Sequence, residues 1–121
     1  MSPRDWRFRL LDIQTAARRI QSYVQDRTWE TFEQDSKTQD AVIRQLTVLG
    51  EAASHVPPEV MELAPDVPWN AIRGLRNVVV HEYFGISLRI LWNTASKNIP
   101  ELDRQVENLL ERLQSESPDN S

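Results

Sequence analysis

Residues 68–86 read PWNAIRGLRNVVVHEYFGI, the most informative stretch of this sequence. Its apolar residues recur at intervals of three and four, which predicts an amphipathic helix over residues 68–83 that ends near Gly85. At about 100° per residue, roughly one third of the helix circumference is apolar and is expected to face a core. That third holds Ala71, Ile72, Leu75, Val78 and Val79.

The polar side chains of this helix are predicted to project away from the core. With Arg76 set at zero, helical geometry places Arg73 at about 60°, Asn77 at about 100°, His81 at about 140° and Tyr83 at about 340°. Val80 falls among them at about 40°, although a solvated face is normally polar. We therefore expect either a distortion near the helix end or a cover over this face, and a second copy of the chain is the natural cover.

Residues 76–83, Arg-Asn-Val-Val-Val-His-Glu-Tyr, carry groups suited to phosphate chemistry. A histidine exchanges protons near neutral pH, and an arginine stays charged and can hold a phosphate through two parallel hydrogen bonds. Arg76 and His81 are therefore suited to transfer a phosphate without a metal. Their spacing alone is weak support, because the chain has 12 arginines and chance gives a histidine such a neighbour roughly one time in ten.

The composition favours a single helical domain. Of the 121 residues, 40% are hydrophobic, and three glycines are too few for the tight turns of a sheet protein. The absence of cysteine excludes disulfides and thiolate metal sites. We expect residues 1–114 to form one domain and residues 115–121, which are polar, to form a disordered tail.

The charge of the chain limits its contacts with nucleic acid. A net charge of -4 and a pI of 5.2 exclude the broad basic field of a protein that coats long nucleic acid. Since 12 of the 14 positive residues are arginines, which suit planar recognition of phosphate, we expect any such contact to be local. No apolar run approaches the roughly 18 residues of a membrane span, and the first residues lack a continuous apolar stretch. These features predict a soluble, cytoplasmic protein that does not contact a membrane.

Two helices are predicted on the N-terminal side of residues 68–86. The first covers about residues 5–25, with an apolar stripe of Leu10, Ile13, Ala17, Ile20 and Val24. The second begins at Ser36, which has capping-box spacing with Gln39, and ends before two consecutive prolines. Between these helices, Trp29 and Phe32 are predicted to pin the connection onto the core.

Two more helices are predicted on the C-terminal side. Ser87 caps the first, and Asn98 and Pro100 interrupt or kink the chain before the second. The stripe of the last helix consists of Leu102, Val106, Leu109, Leu110 and Leu113. A shorter helical turn is expected at residues 59–64. The pattern contains no repeat and no second domain, so the sequence predicts an all-α bundle.

The stretch 68–86 closely resembles the signature of the HEPN superfamily, and within it the HepT-like (DUF86) branch of small bacterial and archaeal toxins. The pattern Arg-Asn-x3-His-x-Tyr-Phe-Gly, preceded by Pro-Trp, is fairly specific. Residues 43–53, which include Leu-Gly-Glu-Ala-Ala at 49–53, resemble the second helix of that branch. Residues 91–92 and 98–102 resemble its C-terminal helices, so the similarity covers most of the chain except its tail.

The resemblance implies an all-α, HEPN-type antiparallel bundle of four to five helices that forms a homodimer, with two copies of the motif lining one cleft. It also implies a metal-independent ribonuclease toxin that needs no cofactor and acts on RNA, with tRNA among the substrates to consider. Carried over residue by residue, Arg76 and His81 are the catalytic pair. Asn77 and Arg73 would then support the motif or contact the substrate.

The resemblance further implies a partner, a cognate minimal nucleotidyltransferase that acts as the antitoxin. In some HepT-like systems this enzyme attaches AMP to the tyrosine of the motif, which corresponds to Tyr83. A bulky anion at this position, on the side of the helix that carries Arg76, would block the cleft and compete for the guanidinium. Modification of Tyr83 is thus expected to act as a reversible off-switch.

Two other interpretations stay open. In one, the bundle is a non-catalytic binding module that docks a nucleotidyltransferase or presents its substrate, and Arg76 and His81 serve contact rather than chemistry. In the other, the bundle is purely structural, which leaves Val80 and the polar cluster without a role. His55 is interpreted as a helix-end residue stabilised by the helix dipole. No metal site is predicted, because no cluster of histidines and acids at ligand spacing accompanies the acidic residues of the chain.

Overall fold

The computed structural model describes the backbone of residues 3–81 and 87–115, and the side chains of residues 5–76 and 87–114. The helices in these ranges are, in chain order, α1 (Pro3–Val24), α2 (Trp29–Glu33), α3 (Ser36–Ala53), α4 (Pro58–Met61), α5 (Trp69–His81), α6 (Leu88–Asn93) and α7 (Ile99–Ser115). The described ranges contain no strand, which confirms the all-α prediction. None of these helices is both long and apolar enough to cross a membrane.

The four longest helices, α1, α3, α5 and α7, enclose one apolar core. Helix α3 packs against both α1 and α5, and α7 packs against α1. The apolar stripes predicted for α1 and for α7 are buried, with Leu110 only partly so. Gln14 contacts Glu107 and Gln21 contacts Asp103, so α1 and α7 run antiparallel. The layer α1, α3 and α5 is the part of the bundle that positions the candidate site.

The core-facing side of α5 was predicted from five residues, of which Val78 and Val79 have side chains outside the described residues, and one of the other three differs from the prediction. Ile72 is buried and Leu75 is half-buried, but Ala71 is exposed. Ala71 instead lines an open groove of about 480 Å³ between α5 and the C-terminal helices, because few contacts join α5 to α7. The start of α5 is fixed by Trp69, whose indole N–H donates to the carbonyl oxygens of Met61 at 3.2 Å and Ala64 at 3.0 Å.

The N-terminus of α3 also differs from the prediction. Asp35, rather than Ser36, is the N-cap, because its carboxylate accepts the backbone N–H of Thr38 at 3.1 Å and the Thr38 hydroxyl at 2.6 Å. Gln39 does not complete a capping box; its side-chain amide donates to two carbonyl oxygens at the end of α2. An aspartate satisfies the free amides of a first turn at least as well as a serine.

Helix α2 lies in the connection between α1 and α3, where the sequence pattern predicts no helix. Its N-cap is Thr28, which forms a capping box with Thr31. Phe32 is fully buried and its ring centroid lies 5.2 Å from that of Trp92, while Trp29 is half-buried against the core. The prediction that Trp29 and Phe32 pin this connection is therefore confirmed.

The N-cap assignment makes a testable distinction between two neighbouring residues. Asp35→Ala is expected to lower the unfolding midpoint by a few degrees, whereas Ser36→Ala should leave it nearly unchanged. The hydrogen bonds from Thr38 hold the pKa of Asp35 below its ordinary value of 3.8. The contribution of Asp35 to the stability of the fold is therefore complete above pH 3.8 and is lost as the pH falls through the folded-state pKa. Thermal unfolding at neutral pH and at acidic pH measures both effects, and equal midpoints for the two variants at neutral pH would refute the assignment.

The sequence predicts an interruption or kink before the last helix, and the structure has a π-helical turn there. Helix α6 continues into α7 through a π-helical turn, Thr94–Asn98, in which the N–H of Ile99 donates to the carbonyl oxygen of Thr94. A π-turn is wider than an α-turn, and it leads directly into Pro100, which has no backbone N–H to donate. The helix therefore continues without a stop. Ser87 caps α6 as predicted, since its hydroxyl accepts the Ile90 N–H at 3.3 Å.

Candidate functional site

Helices α3 and α5 approach each other closely at Gly50. A β-carbon at this position would lie 2.8 Å from the backbone nitrogen of Arg76 and 3.0 Å from the carbonyl oxygen of Ile72. Backbone atoms cannot move aside without separating the helices, so this crossing requires glycine. The close contact fixes the backbone of Arg76 against α3.

The guanidinium of Arg76 consequently lies at the C-terminal turn of α3. Its Nη1 donates to Glu51 Oε2 at 3.0 Å and to Ser54 Oγ at 3.4 Å. Both contacts use the same nitrogen, and no residue with a described side chain bonds Nη2 or Nε. The Arg76 side chain is 44% exposed. The group is thus held at one nitrogen, and two further donor positions suit the two parallel hydrogen bonds that bind a phosphate.

Glu51 joins Arg76 to His55. The second carboxylate oxygen, Oε1, lies 3.2 Å from Nε2 of His55, so one carboxylate contacts both side chains. The sequence predicts His55 to be stabilised by the helix dipole, but the structure gives it a specific acidic partner. His55 follows the last residue of α3, Ala53, by two positions. The spacing of four residues between Glu51 and His55 is visible in the sequence, whereas nothing local indicates the contact with Arg76.

The hydrogen bonds that Glu51 accepts lower its pKa. The pKa of Glu51 lies below its ordinary value of 4.5, first because of the hydrogen bond from Arg76 and then because of the one from His55. The stabilisation of the fold by ionised Glu51 is therefore present above pH 4.5 and is lost as the pH falls through the folded-state pKa. We expect Arg76→Ala to raise the pKa of Glu51 toward the ordinary value in an NMR titration of its carboxyl carbon. An unchanged pKa would show that the pair does not form in solution.

The structure describes two of the predicted site residues with their side chains. Arg76 is one, and Arg73 is the other, with its Nη2 donating to Asn70 Oδ1 at 2.8 Å within α5. No hydrogen bond or ion pair joins Arg73 to Glu51 among the described side chains. The backbone of α5 is helical as far as His81. The side chains of Asn77, Val80 and His81, and all of Tyr83 and Gly85, lie outside the described residues, so their roles remain predictions.

A groove with a volume of about 530 Å³ runs between α1 and α3 and reaches Glu51. Gln45 lines it with only 7% of its surface exposed, and its Oε1 is buried without a hydrogen-bond partner among the described residues. An unpaired buried polar group costs about 1–3 kcal/mol. Sequence reasoning missed Gln45, although a signal exists: it is a polar residue on the apolar side of α3, between Val42 and Leu49.

The described side chains include no group of three or more histidine and acidic residues that could hold a metal ion. Asp12 and Glu51 line the same groove, but Glu51 is already engaged by Arg76 and His55. The charged atoms at this site are therefore arranged as ion pairs. This arrangement suits recognition of a phosphate by arginine.

Comparison with known proteins identifies the family of this chain. The family model described as Ribonuclease HepT-like matches residues 13–109. The chain belongs to the ribonuclease HepT-like family. Membership places it among the ribonucleases and confirms the resemblance inferred from residues 68–86.

Individual relatives match over 70% to 96% of this chain. A Thermococcus cleftensis protein named "Probable ribonuclease HepT" is 38% identical over 100 residues, which are 83% of this chain and 91% of the relative. A Methanocaldococcus jannaschii protein, named as a candidate RNase, is 34% identical over 116 residues, or 96% of each chain. A Caldanaerobacter subterraneus protein with a similar name is 41% identical over 85 residues, or 70% of this chain and 76% of the relative. No solved structure gives a significant match.

Proposed function

We propose that this HepT-like protein is a toxin that cuts RNA without a metal, through Arg76 and His81, in a cleft lined by two copies of the chain. The observation that supports this most strongly is the set of hydrogen bonds made by the Arg76 guanidinium. Glu51 and Ser54 hold it at Nη1, and no described side chain occupies Nη2 or Nε. An arginine positioned in this way can bind a phosphate without first being reorganised.

The reaction uses the 2′-hydroxyl of the RNA as its nucleophile. His81 removes the proton, a bond forms between O2′ and phosphorus, and the bond from phosphorus to O5′ breaks. Arg76 neutralises the charge that develops on the phosphate oxygens, and an acid protonates the leaving 5′-oxygen. The products are a 2′,3′-cyclic phosphate and a 5′-hydroxyl. DNA lacks the nucleophile and is not a substrate.

A base and an acid are both needed, which is the reason for a homodimer. Each chain supplies one His81, so a twofold axis that joins two copies of α5 would bring two histidines to one cleft. Val80, an apolar residue that helical spacing predicts on the polar side of the helix, fits such a cover. Within each copy, Glu51 acts as a positioning residue, because it contacts Arg76 and not the reacting atoms in this scheme.

The assay of His81 tests this proposal. Wild-type protein, His81→Ala and Arg104→Ala are incubated with total RNA in excess EDTA. His81→Ala is expected to lower the cleavage rate by about 10²- to 10⁴-fold, the usual contribution of general acid–base catalysis. Arg104→Ala is the control, because Arg104 pairs only with Glu101 on the exposed surface of α7 in the described part of the chain. Equal cleavage by wild type and His81→Ala would contradict the role of His81, and absence of cleavage by the wild type would favour the non-catalytic binding module.

The proposal also includes control by a cognate minimal nucleotidyltransferase that attaches AMP to Tyr83. One or more AMP units would add negative charge beside Arg76 and compete with the RNA phosphate. We expect the intact mass of the protein to rise by whole AMP units after co-expression with that enzyme, and to stay unchanged for Tyr83→Phe. An increase that persists in Tyr83→Phe would refute Tyr83 as the modified residue.

A further inference from the structure

We infer that the groove between α1 and α3 binds the phosphate backbone of an RNA strand and leads the strand to Arg76, with Arg9 and Arg19 as the phosphate-binding residues. The identity of the ligand as RNA rests on the proposed function. The charge of the groove and its position beside Arg76 are independent of that function. Contacts to phosphates hold a strand in place without reading its sequence.

The guanidinium groups of Arg9 and Arg19 have no hydrogen-bond or ion-pair partner in the described part of the chain. Arg18, the residue before Arg19, lies on the other side of α1 and pairs with Asp103 at 3.3 Å and with Glu107 at 3.6 Å. Three further arginines pair with carboxylates: Arg27, Arg76 and Arg104. Since acidic residues outnumber basic ones by 18 to 14, a shortage of carboxylates does not explain the two unpaired arginines.

The groove has an excess of positive charge. Its acidic residues are Asp12 and Glu51, and the carboxylate of Glu51 is already engaged by Arg76 and His55. Among the described lining residues, Asp12 is thus the one carboxylate left for two guanidinium groups, and it forms an ion pair with neither. The chain as a whole carries a net charge of -4. A cationic groove on an acidic chain attracts a polyanion to that groove rather than to the whole surface.

The groove also lies directly beside the candidate site. Glu51 lines the groove and holds Arg76 Nη1 at 3.0 Å, so a strand in the groove and a phosphate on Arg76 would be separated by one side chain. Arg9 and Arg19 are ten residues apart, which corresponds to about 15 Å along α1. They are therefore suited to two different phosphates of one strand. A free phosphate ion would contact only one of them.

The remaining lining residues suit a single strand. Thr15 is exposed and offers a hydroxyl donor to phosphate oxygens. Val48, which is 39% exposed, offers apolar surface to a ribose or a base. A duplex would need a broader basic surface than this acidic chain provides. A groove of about 530 Å³ with two free arginines agrees with local contact to a few nucleotides.

Salt-dependent binding of an RNA that cannot be cut tests this inference. Oligouridylate with 2′-O-methyl groups lacks the nucleophile, and its affinity is measured by fluorescence anisotropy between about 0.05 and 0.3 M salt. Arg19→Ala is expected to weaken binding about fivefold at about 0.1 M salt. It should also lower the slope of log affinity against log salt by about 0.7, the value for one phosphate contact with a single strand. Arg9→Ala should do the same, and the double variant should combine both losses.

Arg18→Ala is the matched control for Arg19→Ala. It removes the same charge from the neighbouring position, but from the side of α1 that faces α7, so affinity and salt slope should stay unchanged. Arg19→Lys keeps the charge and should retain most of the affinity. Oligoadenylate with the same modification should show the same losses as oligouridylate, because phosphate contacts do not read bases. Thermal unfolding verifies that each variant is folded.

Cleavage of unmodified RNA gives a second readout. Arg19→Ala is expected to raise KM about fivefold, in line with its loss of affinity, and to leave kcat unchanged. This split follows because Arg19 would contribute equally to binding the substrate and the transition state. A fall in kcat with an unchanged KM would overturn the assignment of Arg19 to strand binding.

Several other results would overturn the inference. Equal losses in Arg18→Ala and Arg19→Ala would show that only total charge matters, and an unchanged salt slope in Arg19→Ala would exclude a phosphate contact. A changed oligomeric state of Arg19→Ala, with unchanged affinity for RNA, would assign the groove to contact between copies of the chain. Because affinity is measured without cleavage, an inactive wild type that still shows the difference between Arg18→Ala and Arg19→Ala overturns only the proposed function. Cleavage that depends on His81, with wild-type binding by Arg19→Ala, overturns only the role of the groove.

Discussion

Arg76→Ala is expected to lower the rate of RNA cleavage by about 10²- to 10³-fold, which is the usual cost of removing a group that neutralises charge in a transition state. The loss should arise in the chemical step and not in folding. The ion pair of Arg76 with Glu51 is exposed on both sides, and exposed pairs contribute little to stability. Cleavage of RNA in excess EDTA, together with thermal unfolding of the same preparation, measures both quantities.

Arg76→Lys and Glu51→Gln refine this prediction. A lysine keeps the charge but loses the planar fork, so it should retain only part of the activity. Glu51→Gln removes the charge that holds Nη1 but preserves a hydrogen-bond acceptor, and it should cost less than Arg76→Ala. Cleavage by Arg76→Ala at the wild-type rate would show that Arg76 does not take part in the reaction.

Gly50→Ala is expected to destabilise the fold and to reduce cleavage together. The added β-carbon would lie 2.8 Å from the Arg76 nitrogen, 3.0 Å from the Ile72 oxygen and 3.3 Å from Leu75 Cβ. Overpacking of this kind costs roughly 1–3 kcal/mol, and the better helix propensity of alanine returns at most about 1 kcal/mol. The separation of α3 from α5 would also shift the backbone that carries Arg76.

Gly74→Ala is the matched control on α5. Apart from its chain neighbours and the backbone of its own helix, a β-carbon at Gly74 meets no described heavy atom within 4 Å, so the substitution should stabilise the helix by roughly 0.5–1 kcal/mol. Urea unfolding of the two variants compares them directly. A Gly50→Ala variant as stable as Gly74→Ala would contradict the close crossing of α3 and α5.

The helices that carry the fold were predictable because each has a local pattern. The stripe that begins at Leu10 in α1 and the one that begins at Leu102 in α7 need only helical spacing to be recognised. Ser87 was predictable as a cap for the same reason. The N-cap at Asp35 was not, because adjacent aspartate and serine are both good caps and only the backbone conformation chooses between them.

The contacts that build the site depend on tertiary structure. Glu51 and Arg76 lie 25 positions apart on different helices, and no spacing rule relates them. Their contact depends on Gly50, whose importance appears only once α5 is packed against α3. The π-turn before Pro100 is a similar case, since a proline predicts a disturbance of the helix but not whether the helix stops or widens.

The chemistry of the ends produced by cleavage shows whether the 2′-hydroxyl of the RNA is the nucleophile. Purified wild-type protein is incubated in excess EDTA with an RNA and with its fully 2′-O-methylated copy. We expect cleavage of the RNA alone, with 2′,3′-cyclic phosphate and 5′-hydroxyl ends. Cleavage of the methylated copy, or cleavage of RNA only when a divalent cation is added, would contradict it.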